Sequence, residues 1–136
     1  MLFRSANAST LSSYRFADAA PQTPVVISPA VATLQTAACW VAVTPDGRFA
    51  YTTNTGSGSI SLFRIARDGR ITLAQSVGTA GSGPIDAFVS ADGRRLHVLQ
   101  APLRSIASFR IAGDGALAAA GVTGGLPAGS VGLAAN

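Results

Sequence analysis

The chain has 136 residues, of which 48% are hydrophobic and 12% are charged. These proportions are typical of a globular domain with its own core and exclude an intrinsically disordered segment. No apolar run approaches the roughly 18 residues that a membrane-spanning helix needs, and the residues after Met1 lack the continuous apolar stretch of a signal peptide. We therefore expect no membrane partner.

The positive charge is distributed in a way that does not suggest a nucleic-acid partner. The formal net charge is +4, and all ten cationic residues are arginine. Only Arg64, Arg67 and Arg70 form a loose cluster, whereas a nucleic-acid groove needs a contiguous basic face with interleaved aromatic residues. The chain has one cysteine, Cys39, and one histidine, His97. We therefore expect no internal disulfide, no bound metal and no cofactor.

The N-terminal segment, residues 1–38, is predicted to contain two strands, near 10–16 and near 24–28. The first strand includes the run from Ser12 to Phe16, which resembles a later run from Ser61 to Ile65. We interpret this segment as part of a repeated unit, beginning at its third strand, followed by a connection to the next unit.

Residues 39–84 form the first complete unit, in which short apolar or alternating runs are separated by turn signals. Pro45-Asp46-Gly47 is a strong turn signal, because proline presets φ and glycine accepts a positive φ. Runs rich in β-branched and aromatic residues between such turns indicate strands rather than helices. The predicted strands are Trp40 to Thr44, Arg48 to Asn54, Ser59 to Ile65, and Ile71 to Val77.

Residues 85–130 repeat this unit without a gap at an offset of 46. The run Thr44-Pro45-Asp46-Gly47-Arg48, for example, recurs as Ser90-Ala91-Asp92-Gly93-Arg94. Strands are predicted near 86–90, 94–100, 104–111 and 116–121, and residues 131–136 are predicted to be the first strand of a further unit. Four-stranded units of roughly 40–50 residues are the blades of a β-propeller. The predicted fold is therefore all-β, one partial propeller domain of about two complete blades and two partial ones.

Two segments give this repeat a family resemblance. Ala50-Tyr51-Thr52-Thr53-Asn54-Thr55-Gly56-Ser57-Gly58-Ser59-Ile60-Ser61 resembles the Tyr-Val-Thr-Asn repeat of bacterial propellers. Gly83-Pro84-Ile85-Asp86, ahead of a Ser-x-Asp-Gly-Arg turn, is similar to the blade opening of the lactonase family. That family includes the seven-bladed 6-phosphogluconolactonases and the fungal carboxymuconate cyclases.

The resemblance implies a ring of about seven blades, of which this chain would be the C-terminal portion. It is either a fragment of a longer propeller or a short chain that completes a ring with further copies of itself. We favour the fragment, because the uneven ends supply no obvious symmetric closure. We expect the isolated chain to be inactive, since two blades enclose no channel and leave strand edges unpaired. The compartment, cytoplasmic or exported, stays open.

In a propeller the first strand of each blade lines the central channel, and ligands bind at one face of the ring. Asp86 begins such a strand, and a carboxylate there is a candidate general base that activates water on a lactone carbonyl. The alternative is that Asp86 caps a loop by accepting backbone N–H bonds. Lactonase-like relatives often carry histidine at this opening, whereas this chain has Trp40, Asp86 and Gly132 at the equivalent positions.

Four further residues are candidate substrate contacts at the same face. Trp40 either stacks on a sugar-like ring or plugs the channel. Asn54 and Gln100 end the second strands and either contact a ligand or satisfy the turn backbone. Arg104 replaces a glycine of the first unit and either binds a carboxylate or phosphate or lies solvated in its loop.

Three functions are consistent with these residues. The resemblance implies a parent protein that hydrolyses a sugar lactone, such as 6-phosphogluconolactone, with the lactone or a sugar-like molecule as its ligand. The alternative is a non-catalytic propeller, an exported or surface binding module. A self-sufficient small β-sheet domain is a third possibility.

Overall fold

The part of the chain that the structure describes forms three antiparallel sheets. A computed structural model describes residues 1–5, 7–16, 23–78 and 83–134. In these ranges each sheet is a meander, with strands adjacent in sequence also adjacent in space. No helix in the described ranges is long and apolar enough to cross a membrane.

The N-terminal sheet has three strands, β1 (Leu2–Ser5), β2 (Thr10–Phe16) and β3 (Pro24–Ala32), in that order. The presence of β1 corrects the expectation that the chain begins at the third strand of a blade. In β1 Leu2 lies opposite Ser13 and Ser5 opposite Thr10, which is the register of a second strand against a third. The sequence of β1 does not resemble the other second strands, but a backbone ladder pairs independently of side-chain identity.

The middle sheet contains β4 (Ala38–Val43), β5 (Phe49–Asn54), β6 (Ser59–Ile65) and β7 (Ile71–Gly78). The turn between β4 and β5 has Gly47 at φ +69°, a conformation that glycine adopts without strain. All six residues of β5 are buried, as expected of a strand packed on both faces.

The C-terminal sheet contains β8 (Pro84–Val89), β9 (Arg95–Gln100), β10 (Ser105–Ile111) and β11 (Leu117–Thr123). A single 3-10 turn, Ala101–Leu103, connects β9 to β10, and Arg104 follows it in the left-handed conformation. The strand predicted near 104–111 therefore begins one residue later. The two four-stranded sheets confirm the all-β, partial-propeller prediction.

Residues 131–134 are not a strand, which corrects the prediction for 131–136 over the part that the structure describes. A strand needs a neighbour with which to form a ladder, and none of the pairings among the described residues includes this segment. One hydrogen bond attaches it to the C-terminal sheet, from the Leu133 N–H to Asp86 Oδ2 at 2.6 Å. Residues 135 and 136 lie outside the described ranges.

The main core lies between the middle and C-terminal sheets. It is formed by aromatic and aliphatic side chains from facing strands, chiefly Phe49, Tyr51, Leu62, Leu96, Val98 and Phe109. The Tyr51 hydroxyl crosses this joint and donates to the Gly115 carbonyl at 2.8 Å. Burial raises the pKa of Tyr51 far above its usual value. A smaller cluster between the N-terminal and middle sheets contains Leu11, Ala50, Phe63 and Ile71.

Candidate functional site

The strand order brings all five candidate residues to one end of the sheets, since Arg104 immediately precedes Ser105, which lies opposite Gln100. Because β4 and β5 are antiparallel, the beginning of β4 lies beside the end of β5, with Ala38 opposite Asn54. The same arrangement in the next sheet places Pro84 opposite Gln100. Trp40 and Asp86, near the starts of β4 and β8, therefore share this end with Asn54 and Gln100. We call this end the mouth.

Asp86 is buried, with only 4% of its surface exposed. Its Oδ1 accepts the N–H of Ala87 at 2.7 Å, and its Oδ2 accepts the N–H of Leu133 at 2.6 Å. Each carboxylate oxygen thus has a backbone donor, which is the arrangement of a capping residue. Its role as a general base stays a prediction, and that role would require one oxygen to exchange its backbone donor for water.

Trp40 is the one aromatic residue among the five candidates. Its side chain is 46% exposed, while its backbone N–H donates to Thr53 Oγ1 at 3.0 Å. The backbone is therefore fixed in the sheet, while almost half of the residue's surface is open to solvent. An aromatic face held on a rigid strand is suited to stack on the apolar face of a sugar ring.

Asn54 is fully buried, and in the described ranges its side chain forms no hydrogen bond to the turn backbone. Its Nδ2 donates to the hydroxyls of Ser59 at 3.1 Å and Ser61 at 3.0 Å. Ser59 in turn donates to Gln35 Oε1, and Ser61 donates to the Thr33 carbonyl. The expected turn-satisfying role is therefore wrong for this residue, because its side chain points between the N-terminal and middle sheets.

Gln100 occupies the equivalent position one sheet later and is also fully buried. Its Oε1 accepts the Ser105 hydroxyl at 3.2 Å, while its Nε2 has no hydrogen-bond partner among the described residues. Both amides therefore lie behind the mouth, inside the sheet packing. Their predicted contact with a substrate has no geometric support and stays a prediction.

Arg104 is exposed and has a fixed backbone. Its φ and ψ are both 48°, its N–H donates to the Ala101 carbonyl, and its carbonyl accepts the Leu126 N–H at 3.1 Å. No ion pair or side-chain hydrogen bond of Arg104 occurs in the described part of the chain. The guanidinium is thus available to an anionic ligand, as the bidentate chemistry of arginine requires.

The single histidine and the single cysteine are not among the five candidates. His97 Nδ1 lies 2.9 Å from the Ser108 hydroxyl on the outer face of the C-terminal sheet, away from the mouth. Cys39 is a free, partly buried thiol. The described residues contain no group of three or more histidine, cysteine, aspartate or glutamate side chains able to hold a metal ion.

Comparison with known proteins identifies the family. A model of the family described as "Lactonase, 7-bladed beta-propeller" matches residues 8–129. The chain belongs to this lactonase propeller family. No curated protein matches the chain.

Solved structures share the fold. A functionally unknown protein from Desulfotomaculum acetoxidans DSM 771 is 25% identical, with a TM-score of 0.80 over 91% of this chain and 38% of its own. A candidate 6-phosphogluconolactonase from Bacteroides uniformis ATCC 8492 is 25% identical, with a TM-score of 0.72 over 86% of this chain and 35% of its own.

The periplasmic gluconolactonase of Pseudomonas aeruginosa is 23% identical, with a TM-score of 0.68 over 90% of this chain and 39% of its own. At that identity the likeness to the Pseudomonas protein concerns the fold alone. The chain spans less than half the length of each of these structures.

Proposed function

We propose that these blades belong to a propeller that hydrolyses a sugar lactone such as 6-phosphogluconolactone. The family match over residues 8–129 supports a lactonase-type protein, and a candidate 6-phosphogluconolactonase is among the proteins of similar structure. The partners in this proposal are the lactone itself and the blades that complete the ring, supplied by a longer chain or by further copies. The isolated chain is expected to be inactive.

One observation carries the choice of substrate class. The exposed Trp40 indole provides an apolar surface for a sugar ring, at a site where the backbone is fixed. Arg104, which immediately precedes β10, has a guanidinium with no protein partner in the described ranges and would hold a phosphate or carboxylate group. A ring-binding aromatic side chain with an anion-binding arginine suits a phosphorylated sugar acid or its lactone better than a neutral ligand.

Asp86 is the candidate general base of this proposal. Lactone hydrolysis needs a group that removes a proton from the attacking water. A carboxylate beside the mouth has the appropriate chemistry, and its two backbone hydrogen bonds would hold it in place.

The second candidate function is a non-catalytic binding module built on the same blades. The observation that favours it is the coordination of Asp86, whose two oxygens already accept backbone N–H groups. In such a protein Trp40 and Arg104 would bind a sugar acid, and Asp86 would only order the loop.

Intrinsic fluorescence tests ligand binding directly, because Trp40 is the only tryptophan. We expect 6-phosphogluconate, the stable hydrolysis product, to change the emission saturably. Arg104→Ala should weaken this binding about tenfold, the effect of losing one hydrogen bond to a charged group. Arg67→Ala, which removes an exposed arginine from a turn, is the matched control and should have no effect. Absence of a saturable change would contradict the proposed substrate class.

Hydrolysis separates the two candidate functions. The isolated chain should not accelerate lactone hydrolysis above the spontaneous rate, and measurable turnover by the purified monomer would refute that expectation. In a propeller that contains these blades, Asp86→Asn should abolish turnover while leaving fluorescence-detected binding intact. A binding module would bind the sugar acid with aspartate or asparagine at position 86 and would show no turnover with either.

A further inference from the structure

Arg104 has a backbone conformation that its side chain disfavours. Its φ and ψ are both 48°, in the left-handed region that residues other than glycine rarely adopt. The equivalent residue of the middle sheet, one period earlier, is Gly58 at φ +60°. The two sheets thus share this conformation, and the C-terminal sheet places a long cationic side chain on it. Backbone strain of this kind is concentrated at functional sites and persists where the surroundings hold it.

Pro102, in the 3-10 turn that leads to Arg104, contacts the segment ahead of β8. A Cβ atom at position 83, which is glycine, would lie 2.7 Å from Cγ and 2.8 Å from Cδ of Pro102. The proline ring therefore occupies the space that a side chain at position 83 would fill. One period earlier the same two positions are Ala37 and Gly56, and a Cβ atom on Gly56 would lie 3.4 Å from that of Ala37. The larger and the smaller residue of the pair are exchanged between the two units.

The exchange follows from the backbone chemistry of proline. In the first unit the Gly56 N–H donates to the Thr36 carbonyl at 3.1 Å. Proline has no N–H, so position 102 cannot form the equivalent hydrogen bond. The contact of the Pro102 ring with Gly83 takes its place, and Gly83, at φ +71°, leaves room for the ring.

These contacts lie within the two four-stranded sheets. Next to Gly83, the Pro84 carbonyl accepts the Thr55 hydroxyl of the middle sheet at 2.8 Å, so the neighbouring sheet holds the segment on which Pro102 packs. Gly58 has a core on each side of its sheet and is still partly exposed. The equivalent position, Arg104, therefore stays accessible at the mouth when further blades follow.

We propose that Pro102 and Gly83 are positioning residues for Arg104, which hold its guanidinium at the mouth for an anionic group of the ligand. The contact between them keeps the 3-10 turn in place, and the turn fixes the left-handed backbone from which the arginine side chain projects. A binding group that is already in position loses less conformational entropy when the ligand binds. This role rests on the proposed binding of a sugar acid by Arg104 and extends it to two residues behind the arginine.

Pro102→Gly in the 136-residue chain tests this role, with 6-phosphogluconate as the ligand and Trp40 emission as the readout. We expect binding to weaken by up to about tenfold, the loss expected for Arg104→Ala. In an Arg104→Ala background the same change should have no further effect, because Pro102 acts through the arginine. Additive losses would mean that Pro102 only stabilises the mouth and would overturn the proposal.

Hydrogen exchange of the Arg104 amide, which closes the turn on the Ala101 carbonyl, tests the positioning without a ligand. Pro102→Gly should accelerate this exchange relative to the amides inside β10. Gly83→Ala should do so more strongly with proline than with glycine at position 102, because the added methyl group meets the proline ring. Ala37→Gly, at the equivalent position of the first unit, is the matched control and should leave the exchange unchanged.

Unchanged Arg104 exchange in Pro102→Gly would overturn the proposal, as would an equal effect of Gly83→Ala with proline or glycine at position 102. Faster exchange in a chain that does not bind 6-phosphogluconate would contradict the proposed substrate class and leave the positioning contact standing. Binding that is intact in both the parent chain and Pro102→Gly would contradict the positioning role alone. If Pro102→Gly does not give the β-sheet circular dichroism of the parent chain, Pro102→Ala replaces it.

Discussion

At the residue scale, the period places three different residues at one position, Trp40, Asp86 and Gly132. Two backbone N–H groups donate to the Asp86 carboxylate, those of Ala87 and Leu133. Ala87 follows Asp86 in the sequence, and Leu133 follows Gly132. One period before the Leu133–Asp86 bond, the equivalent donor is the Ala87 N–H and the equivalent acceptor would be the side chain of residue 40. Because residue 40 is tryptophan, which has no side-chain acceptor, the Ala87 N–H bonds to the Asp86 carboxylate. Gly132 has φ +84°, which brings the next backbone donor close without a side-chain clash.

Replacing Asp86 with alanine should lower the free energy of unfolding by about 2 kcal/mol, because two backbone donors lose a charged acceptor. Urea unfolding measures this change, and hydrogen exchange of the Leu133 amide should accelerate at the same time. Asp68→Asn is the control. Asp68 is exposed, its Oδ1 accepts the Arg70 N–H, and asparagine keeps that acceptor. Equal stability of Asp86→Ala and Asp68→Asn would show that Asp86 does not hold the segment at 131–134.

At the element scale, the two hairpins that open the middle and C-terminal sheets have the same internal bonding. In the first, the Thr44 hydroxyl donates to Asp46 Oδ1 at 2.6 Å, and the Arg48 N–H donates to the same oxygen at 3.1 Å. The Ser90–Asp92 turn repeats this geometry. The sequence predicts the turn from its proline, aspartate and glycine, but the side-chain hydroxyl that closes it becomes apparent only in the structure.

These bonds predict a pH dependence with a defined sign. The hydroxyl bond from Thr44 lowers the pKa of Asp46, and that from Ser90 lowers the pKa of Asp92. A carboxylate with a lowered pKa contributes stability that is fully present above the unfolded pKa, about 3.8, and is lost as the pH falls through the folded value. Stability should therefore decrease below this pH.

Ser90→Ala removes the hydroxyl hydrogen bond to Asp92, which is the largest cause of that residue's lowered pKa. The hydrogen bond from Thr44 to Asp46 in the other turn stays intact. We expect the pKa of Asp92 to rise toward its usual value while that of Asp46 stays low in the same sample. Carboxyl carbon NMR titration measures both. A parallel rise of both pKa values, or of neither, would contradict the assignment of the shift to the hydroxyl.

At the scale of the whole molecule, the two joints between sheets differ in character. The joint between the middle and C-terminal sheets is apolar, whereas the joint with the N-terminal sheet contains serine and threonine side chains. Position 52 illustrates the difference. Thr52 is fully buried and its hydroxyl has no partner among the described residues, while the residue one period later, Val98, packs in the apolar core.

Thr52→Val should therefore stabilise the chain by about 1 kcal/mol, because it removes a buried hydroxyl that has no hydrogen-bond partner in the described ranges and keeps the side-chain shape. The neighbouring Thr53→Val is the matched control. It removes the acceptor of the Trp40 N–H and should destabilise the chain by about the same amount. Thermal or urea unfolding measures both, and the same sign for the two variants would contradict the difference between these threonines.

Much of the fold was predictable, because alternating apolar residues and turn signals recur at a fixed offset. β1 was not, since its four residues carry no repeat signal and form a strand only by pairing with β2. The strand predicted over 131–136 was wrong for 131–134, because a single strand has no ladder partner there. In each case the backbone of a neighbouring segment, which the local sequence does not encode, decided the outcome.

For the candidate site, the sequence determined which residues break the repeat, and tertiary structure decided what each can contact. Residue type and period alone single out Trp40, Asp86 and Arg104, since their equivalents differ. Only the packing of one sheet on the next buries Asn54 and Gln100, and only the approach of residues 131–134 gives Asp86 its second donor. The physical reason is that the alternation of side chains along a strand determines which residues share a face. Their burial and hydrogen bonding depend on the segments that pack against that face.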